Sequence, residues 1–397
     1  MHGTAVCYDT VMNISNRLTS ALLALLVLLF GTGLAWRLTH SEPAPEETVN
    51  EEPVEETVEE PEVYTAEMFL TGDGLIHGAI YKDAYRIGNG TYDFTGMVEP
   101  LRPFVEKYDL KYYNQESMLG GVDLGLYCYP LFNSPQEFGD AMVGLGFNMV
   151  STANNHSLDM GEAGIEKSLA YWNSKEGVIN AGTYTSWEDQ QALNVYEING
   201  ITYTFLSWTF SCNGFYPPQG KEYLVNLYPG REEEMLAQVR KADEISDVVI
   251  IAIHWGTEYV HEPNQEQRDM ARRLAEAGAD IIVGNHPHVI QPVEWIDDTI
   301  VFYAMGNMIA AQETAEKQTG MIAGLTITKT VDHGETTVKV SNVRTDLIYT
   351  YFANHINFRI YPYEELTDQI LPGWEQIYEQ QKAIIRMLDD TIPIGGV

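Results

Sequence analysis

Two histidines separated by one proline, His286 and His288, close an apolar run in the stretch "IIVGNHPHVIQ" (residues 281–291). Imidazole is the commonest protein metal ligand. Pro287 fixes its own φ and biases His286 toward extended backbone, so the pair is predicted to form a stiff fork with both rings on one side. Similar termini recur along the chain. "EMFLTGDG" runs from an apolar segment into Asp73, "DLKYYNQE" into Asn114 and Glu116, and "FNMVSTANNH" into Asn155 and His156. "DVVIIAIHWG" delivers His254, and "TIVFYAMGN" delivers Asn307. Six predicted strands thus end in Asp, Glu, Asn or His, and the C-terminal strand edge is where sites assemble in α/β sheets.

Carboxylates, imidazoles and amide oxygens suit hard or borderline cations, and no cysteine cluster competes with them. Asp73, Glu116, Asn155, His254, His286 and His288 supply six candidate ligands. That is enough for two divalent or trivalent ions (Mn, Fe or Zn) sharing a bridging carboxylate. Such a pair generates a nucleophile from water at neutral pH. His156 is then the candidate acid for a leaving oxygen, with Asp159 as its orienting carboxylate. Asn114, Gln291 and Asn307 stand beside these ligands as candidate substrate contacts, and His77 is a candidate further ligand. The aromatic stretch "WTFSCNGFYPPQG" (residues 208–220) either walls the cleft or packs on itself.

Short apolar runs alternate with amphipathic stretches, the signature of an α/β or α+β domain. A helix is predicted after Ser134, with Pro135 in its first turn and Glu137 at the capping-box position. A second carries Ile165, Leu169 and Trp172 on its inner face. A third begins at Asn264, with Gln267 at the box position and Gly278 as terminator. Residues 321–351 alternate like antiparallel strands about a turn at Asp332-His333-Gly334. Residues 352–397 are read as a C-terminal helical extension interrupted at Pro372-Gly373, which bounds the main domain at 64–351.

The balance of 57 Asp+Glu against 23 Lys+Arg leaves no basic surplus for phosphate backbones, which excludes nucleic acid as a partner. Much of the excess is local. Ser41 to Val63 holds ten Glu and four Pro, with no Lys, Arg or aromatic residue. Residues 37–63 therefore read as a disordered, self-repelling tether. Before it, Leu18 to Trp36 is an uncharged run of nineteen residues, close to the length that spans a bilayer's hydrocarbon core. A cleaved signal peptide with Gly33 and Ala35 at its cut site is the competing reading. The length of the run favours an uncleaved single-pass anchor, with residues 1–17 cytoplasmic and the main domain outside the cell membrane.

From about Met68 to Ala311 the chain resembles the CapA family of bacterial capsule-synthesis proteins, the poly-γ-glutamate type. That family is related to the calcineurin-like metallophosphoesterases. The motifs that carry the resemblance stand in family order: "GD" at 72–73, "NQE" at 114–116, "ANNHSLDMGEAGI" at 153–165, "HWG" at 254–256, "HPHVIQPVE" at 286–294 and "MGN" at 305–307. The resemblance implies a four-layer α-β-β-α sandwich. It implies Asp73 and His288 at one metal, Asn155, His254 and His286 at the other, and Glu116 between them. It also implies a membrane-bound polyglutamate synthase as partner and an anionic polymer as cargo. Two functions follow, a metal-dependent hydrolase or a non-catalytic assembly protein that binds the polymer. The chain departs from the pattern at Leu75, where related phosphoesterases have the histidine that this chain places at 77. Gln115 likewise stands where the family has an apolar residue.

Overall fold

A computed structural model describes residues 60–397, so the expected anchor and most of the expected tether lie outside the described residues. The tether gives way to strand at Glu62, one residue before its expected end. The strands are β1 (Glu62–Gly74), β2 (Leu110–Asn114), β3 (Met149–Ser151), β4 (Ile179–Ala181), β5 (Val195–Ile198), β6 (Ile201–Thr209) and β7 (Val248–His254). They continue as β8 (Ile281–Asn285), β9 (Val293–Ile296), β10 (Thr299–Phe302), β11 (Asn307–Ile309), β12 (Thr319–Asp332), β13 (Glu335–Ala353) and β14 (Ile356–Pro362). The longer helices are α1 (Gly78–Ile87), α2 (Glu137–Leu145), α3 (Gly161–Trp172), α4 (Glu232–Asp243), α5 (Gln265–Glu276) and α6 (Trp374–Ile385).

Two sheets form. One has the order β14-β13-β12-β1-β2-β3-β4, with β11 also paired to β1; the other is β5-β6-β7-β8-β10-β9. β1 to β4 run parallel, as do β6, β7, β8 and β10. Their side chains alternate faces with the strand period of two. On β1, Met68 and Leu70 enter a core shared by both sheets, while Phe69 turns to an outer core with α1 and α2. On β7, Ile250 and Ala252 face the first sheet, and Val249, Ile251 and Ile253 face α4 and α5. The layers are therefore helix, sheet, sheet, helix. Near-continuous apolar runs are what a parallel strand buried on both faces requires.

The helix signals hold unevenly. Around α5 the capping box is complete: Asn264 Oδ1 accepts from Gln267 N at 2.9 Å and Gln267 Oε1 accepts from Asn264 N at 3.0 Å. At α2 the expected serine cap fails. Its cap position is Gln136, whose side chain makes no capping bond, and Ser134 Oγ instead donates to Ile76 O at 3.4 Å. The hydroxyl is drawn to the loop that follows β1. The 332–334 turn closes the β12–β13 hairpin as expected, with Asp332 paired to Glu335. The domain boundary placed at 351 falls inside β13, however, and β14 adds to the same sheet. On α6, Ile385 packs into the core between the sheets, so the C-terminal segment is part of the domain.

One close approach positions the site. A Cβ on Gly72 would lie 1.9 Å from Gly306 O, so the two backbones touch only because residue 72 is glycine. That contact lets Asp73 N donate to Gly306 O at 2.9 Å and aligns Asp73 with Asn307. Gly72→Ala should separate these backbones and cost about 1–3 kcal/mol, the usual range for overpacking, read by denaturant unfolding. Wild-type stability would show that the strands part without strain.

Asp280, just before β8, gives a pH-dependent test. Burial pushes its carboxyl up to about 6, against the Val249 N–H bond that favours the charged form. A folded value above the unfolded one makes the ionised group a burden. That penalty is absent below the unfolded value, near pH 4, and complete above about pH 6. Asp280→Asn should therefore stabilise the fold by up to roughly 3 kcal/mol at pH 8 and match wild type near pH 4. Equal unfolding midpoints at both pH values would remove the burden.

Candidate metal centre

The ligand residues leave the C-terminal ends of parallel strands that lie side by side. Asp73 on β1 pairs in register with Asn114 on β2 and Asn307 on β11, and His254 on β7 with Asn285 on β8. Glu116 follows β2, Asn155 and His156 follow β3, and His286 and His288 follow β8. All six candidate ligands are buried.

They converge into overlapping groups. Asp73, Glu116 and His288 offer ligand atoms within 4.8 Å of one another, and so do Glu116, His254 and His286. Glu116 belongs to both. Its Oε1 lies 3.6 Å from His254 Nε2 and 3.6 Å from His288 Nε2. His254 Nε2 lies 3.2 Å from His286 Nδ1 and 3.0 Å from Asn155 Oδ1. His288 Nδ1 lies 3.5 Å from Asp73 Oδ2.

Both Glu116 oxygens are buried without a hydrogen-bond partner among the described residues. A buried carboxylate without partners is expensive unless paired or bound to a metal. The ring nitrogens of His254 and His286 face each other at a distance natural for two lone pairs aimed at one ion. Oxygen and imidazole donors around a shared carboxylate therefore fit a pair of cations. Electrostatics agree. Burial pushes the Glu116 carboxyl well above its ordinary range. Burial and the neighbouring His288 pull His286 down to about 3, and burial with His286 pulls His254 well down. Burial also opposes charge on His288, but Glu116 and Asp73 outweigh it and lift the imidazole to about 9.

The histidine fork differs from expectation. His286 has φ 100° and His288 has φ 56°, so the stretch turns twice rather than running extended. Histidine is among the side chains that tolerate this region. The rings still converge, with centroids 5.9 Å apart. His286 N points toward Asp73 Oδ2 at 3.4 Å, a contact an extended segment would not make.

Amide side chains hold the ligands. Asn285 Nδ2 donates to Tyr112 OH at 2.7 Å, and that hydroxyl lies 2.9 Å from Ser151 Oγ. Ser151 Oγ donates to Asn114 Oδ1 at 2.7 Å, and Asn114 Nδ2 donates to Asp73 Oδ1 at 2.8 Å. This buried relay links the two sheets beneath the site. Asn114, expected to contact substrate, is therefore occupied in positioning Asp73. Asn307 is a holder too: its Oδ1 lies 3.0 Å from His288 Nδ1, which leaves Nε2 toward Glu116. Gln291 is not in the cleft. Its Oε1 accepts from Gln267 Nε2 at 2.7 Å, and its Nε2 donates to Val260 O at 2.8 Å, tying α5 to the loop after β7.

His156 Nδ1 lies 2.7 Å from Asp159 Oδ2, which also accepts from Phe132 N at 2.6 Å. The Phe132 ring packs edge-on against the imidazole at 4.6 Å. His156 Nε2 has no protein partner among the described residues. His77 joins none of the ligand groups. Its Nδ1 sits 3.0 Å from Leu75 O and 3.3 Å from Ala311 N, and burial lowers its pKa to about 4. The aromatic stretch does wall the cleft: Phe210 packs on His286 at 4.8 Å, and Asn213 Oδ1 accepts from Asn155 Nδ2 at 3.4 Å. Sequence reasoning missed Glu258, an exposed carboxylate that groups with His286 and His288. Its signal was its place four residues past His254 in the same loop.

The family model for the bacterial capsule synthesis protein PGA_cap matches residues 67–312. The PGA biosynthesis protein CapA of Bacillus subtilis is 33% identical over 169 residues, covering 42% of this chain and 44% of that protein. The capsule biosynthesis protein CapA of Bacillus anthracis is 29% identical over 186 residues, covering 45% of this chain and 44% of that protein. The chain thus spans under half the length of these curated relatives. Among solved structures, a putative 5'-nucleotidase from Staphylococcus aureus aligns at TM-score 0.45 and 15% identity, over 80% of this chain and 58% of that one. The sulfate thiohydrolase SoxB of Thermus thermophilus aligns at TM-score 0.39 and 15% identity, over 78% of this chain and 47% of that one. The matched segment carries every candidate ligand and takes in more than half of the sequence, and the chain belongs to the bacterial capsule synthesis protein PGA_cap family.

Proposed function

We propose that this chain is a capsule-synthesis protein, of the poly-γ-glutamate type, whose strand-edge site binds two metal ions and hydrolyses a bond in an anionic substrate. The observation that carries the reading is the buried, unpartnered Glu116 carboxylate between two groups of ligands. In it the layered sheets form a metallophosphoesterase-like sandwich. Asp73 and His288 would hold one ion and Asn155, His254 and His286 the other, with Glu116 standing between the two groups.

Bound cations supply Lewis acidity and a water nucleophile at neutral pH. The protein's own groups do the rest. Asp159 fixes the His156 ring through Nδ1, so a proton carried at Nε2 is aimed out of the dyad. His156 then hands that proton to the leaving oxygen. Asn114 and Asn307 keep Asp73 and His288 from rotating out of place. Phe210 and Phe132 shield the two histidines from bulk water on one side.

The site belongs, in this proposal, to a domain tethered outside the cell membrane by the apolar run at residues 18–36. A membrane-bound polyglutamate synthase is its partner. The apolar run at residues 18–36 and the acidic stretch after it support this placement, and the names of the two Bacillus relatives support a role in polymer and capsule biosynthesis.

Purified protein reconstituted with Mn, Fe or Zn should hold about two ions per chain by elemental analysis, the number the shared-carboxylate arrangement accommodates. Glu116→Ala should lose at least one of them. A wild-type chain that retains no metal would sink the proposal. His156→Ala should keep its metal and lower turnover of a chromogenic phosphoester or of polyglutamate by ~10²–10⁴-fold, the usual worth of a positioned acid. Asp159→Asn should lower it less. An unchanged rate in His156→Ala would remove that residue from the mechanism, and metal-dependent polymer binding without turnover would favour the assembly role.

A further inference from the structure

The loops that carry the ligands come from stretches with no Lys or Arg. Residues 64–81, 112–166, 176–220, 242–267 and 274–316 contain none. In a chain of formal net charge -34, an anionic substrate therefore meets almost no fixed cation on its approach. Lys221, which ends one of these stretches, is neutralised by Glu162 at 2.5 Å. Lys317, which ends the last, forms no ion pair among the described residues. Its neighbour Glu313 pairs instead with His355 at 3.2 Å.

Lys317 is tied to the metal centre. Asn307, whose Oδ1 orients His288, donates from Nδ2 to Lys317 O at 2.8 Å. The Lys317 ammonium lies 4.0 Å from the centroid of the Tyr259 ring, and that ring lies 6.1 Å from the His288 ring. Gln312 completes the connection, donating to Tyr259 OH at 3.3 Å and accepting from Asn307 Nδ2 at 3.0 Å. The ammonium is thus within a substrate side chain's reach of the ligand histidines.

Backbone strain points to the same place. Among the described residues, every non-glycine at positive φ is Asn, Asp or His except two, Tyr259 at 64° and Thr314 at 109°. For an aromatic or β-branched residue such a value is an outlier, and outliers persist where surrounding contacts enforce them. Tyr259 N donates to Pro287 O at 2.7 Å, which fixes the ring beside the fork. Thr314 O accepts from Lys317 N at 3.1 Å, which fixes the turn that presents the lysine.

We infer that Lys317 is a specificity residue of this site, recognising a carboxylate that the substrate carries beside the group held by the metals. The inference rests on the metal-centre reading above. A carboxylate suits it better than a phosphate, because one ammonium balances one charge and the exposed Glu258 carboxylate stands in the adjoining loop. Tyr259 serves as the resting place of the ammonium, exchanged for the carboxylate when substrate binds.

The test uses full-length protein loaded with Mn²⁺ and two non-hydrolysable probes, 4-phosphonobutyrate and its uncharged carboxamide. Calorimetric titration gives both affinities, and elemental analysis of the same samples gives metal content. Wild type should prefer the carboxylate by roughly tenfold, the worth of one charge-assisted hydrogen bond. Lys317→Met should reduce that ratio to about one while retaining manganese, and Lys317→Arg should restore most of it. An unchanged ratio in Lys317→Met, or no preference in wild type, overturns the assignment and leaves the metal centre standing. Wild-type protein that takes up no manganese overturns both.

Discussion

One buried carboxylate sets the terms for the rest of the molecule. Glu116 has both oxygens out of solvent and without a hydrogen-bond partner among the described residues, an arrangement a fold does not keep without compensation. Placing it there required two sheets to end their parallel strands at one rim. It also required glycine at position 72, so that β1 approaches the Met305-Gly306 backbone closely enough to bring Asp73 beside it. The strands contribute no chemistry themselves. Their work is to bring residues more than two hundred positions apart, such as Asp73 and His288, into one group of candidate ligands.

The side chains that hold the ligands from beneath are neutral, and this has a physical reason. Asn114, Asn285, Asn307, Ser151 and Tyr112 give and accept hydrogen bonds without net charge. A lysine or arginine in those places would repel cations, and a further buried carboxylate would compete for them or add its own desolvation cost. Amides also donate and accept on one planar group, so Asn114 can hold Asp73 with its nitrogen and answer Ser151 with its oxygen. The relay from β8 through β2 and β3 back to β1 makes the two sheets register against each other at the site. Movement of either sheet would thus be felt directly at Asp73.

What the sequence disclosed and what it concealed divides along the range of the interactions. Strand cores such as Val248–His254 and Ile281–Asn285 were legible because continuous β-branched runs suit strands buried on both faces. The capping box at Asn264 was legible because its bonds span three residues. Convergence of the six ligand residues followed from their repeated place after such strands. Long-range contacts were not legible. Ser134 looked like a cap until the loop after β1 claimed its hydroxyl, and Gln291 looked like a substrate contact until α5 and Val260 claimed its amide. The left-handed turns at His286 and His288 were hidden because proline chemistry favours extension there, and only contact with Asp73 and Asn307 overrules it. Glu258 was passed over although it lies four residues past β7, as far as Asn155 lies past β3.

Charge also bears on the proposal that so acidic a chain receives an anion. Ten of the 57 acidic residues lie in residues 41–63, and the remainder of the chain is still strongly acidic. Within the site, only Asp73 and Glu116 of the six buried ligands bear negative charge in their ligating forms; the others are imidazoles and an amide. Two divalent ions on that set would exceed the charge of their ligands and make the rim positive, although the loops around it hold almost no Lys or Arg. In the proposed reading, bound metals and Lys317 would supply the attraction, and it would act only at the rim. An anionic chain would be repelled by the rest of the surface and drawn in at one point. A ligand set richer in carboxylates would bind cations more tightly but neutralise that pull, which is a physical reason for the site to rely on histidine.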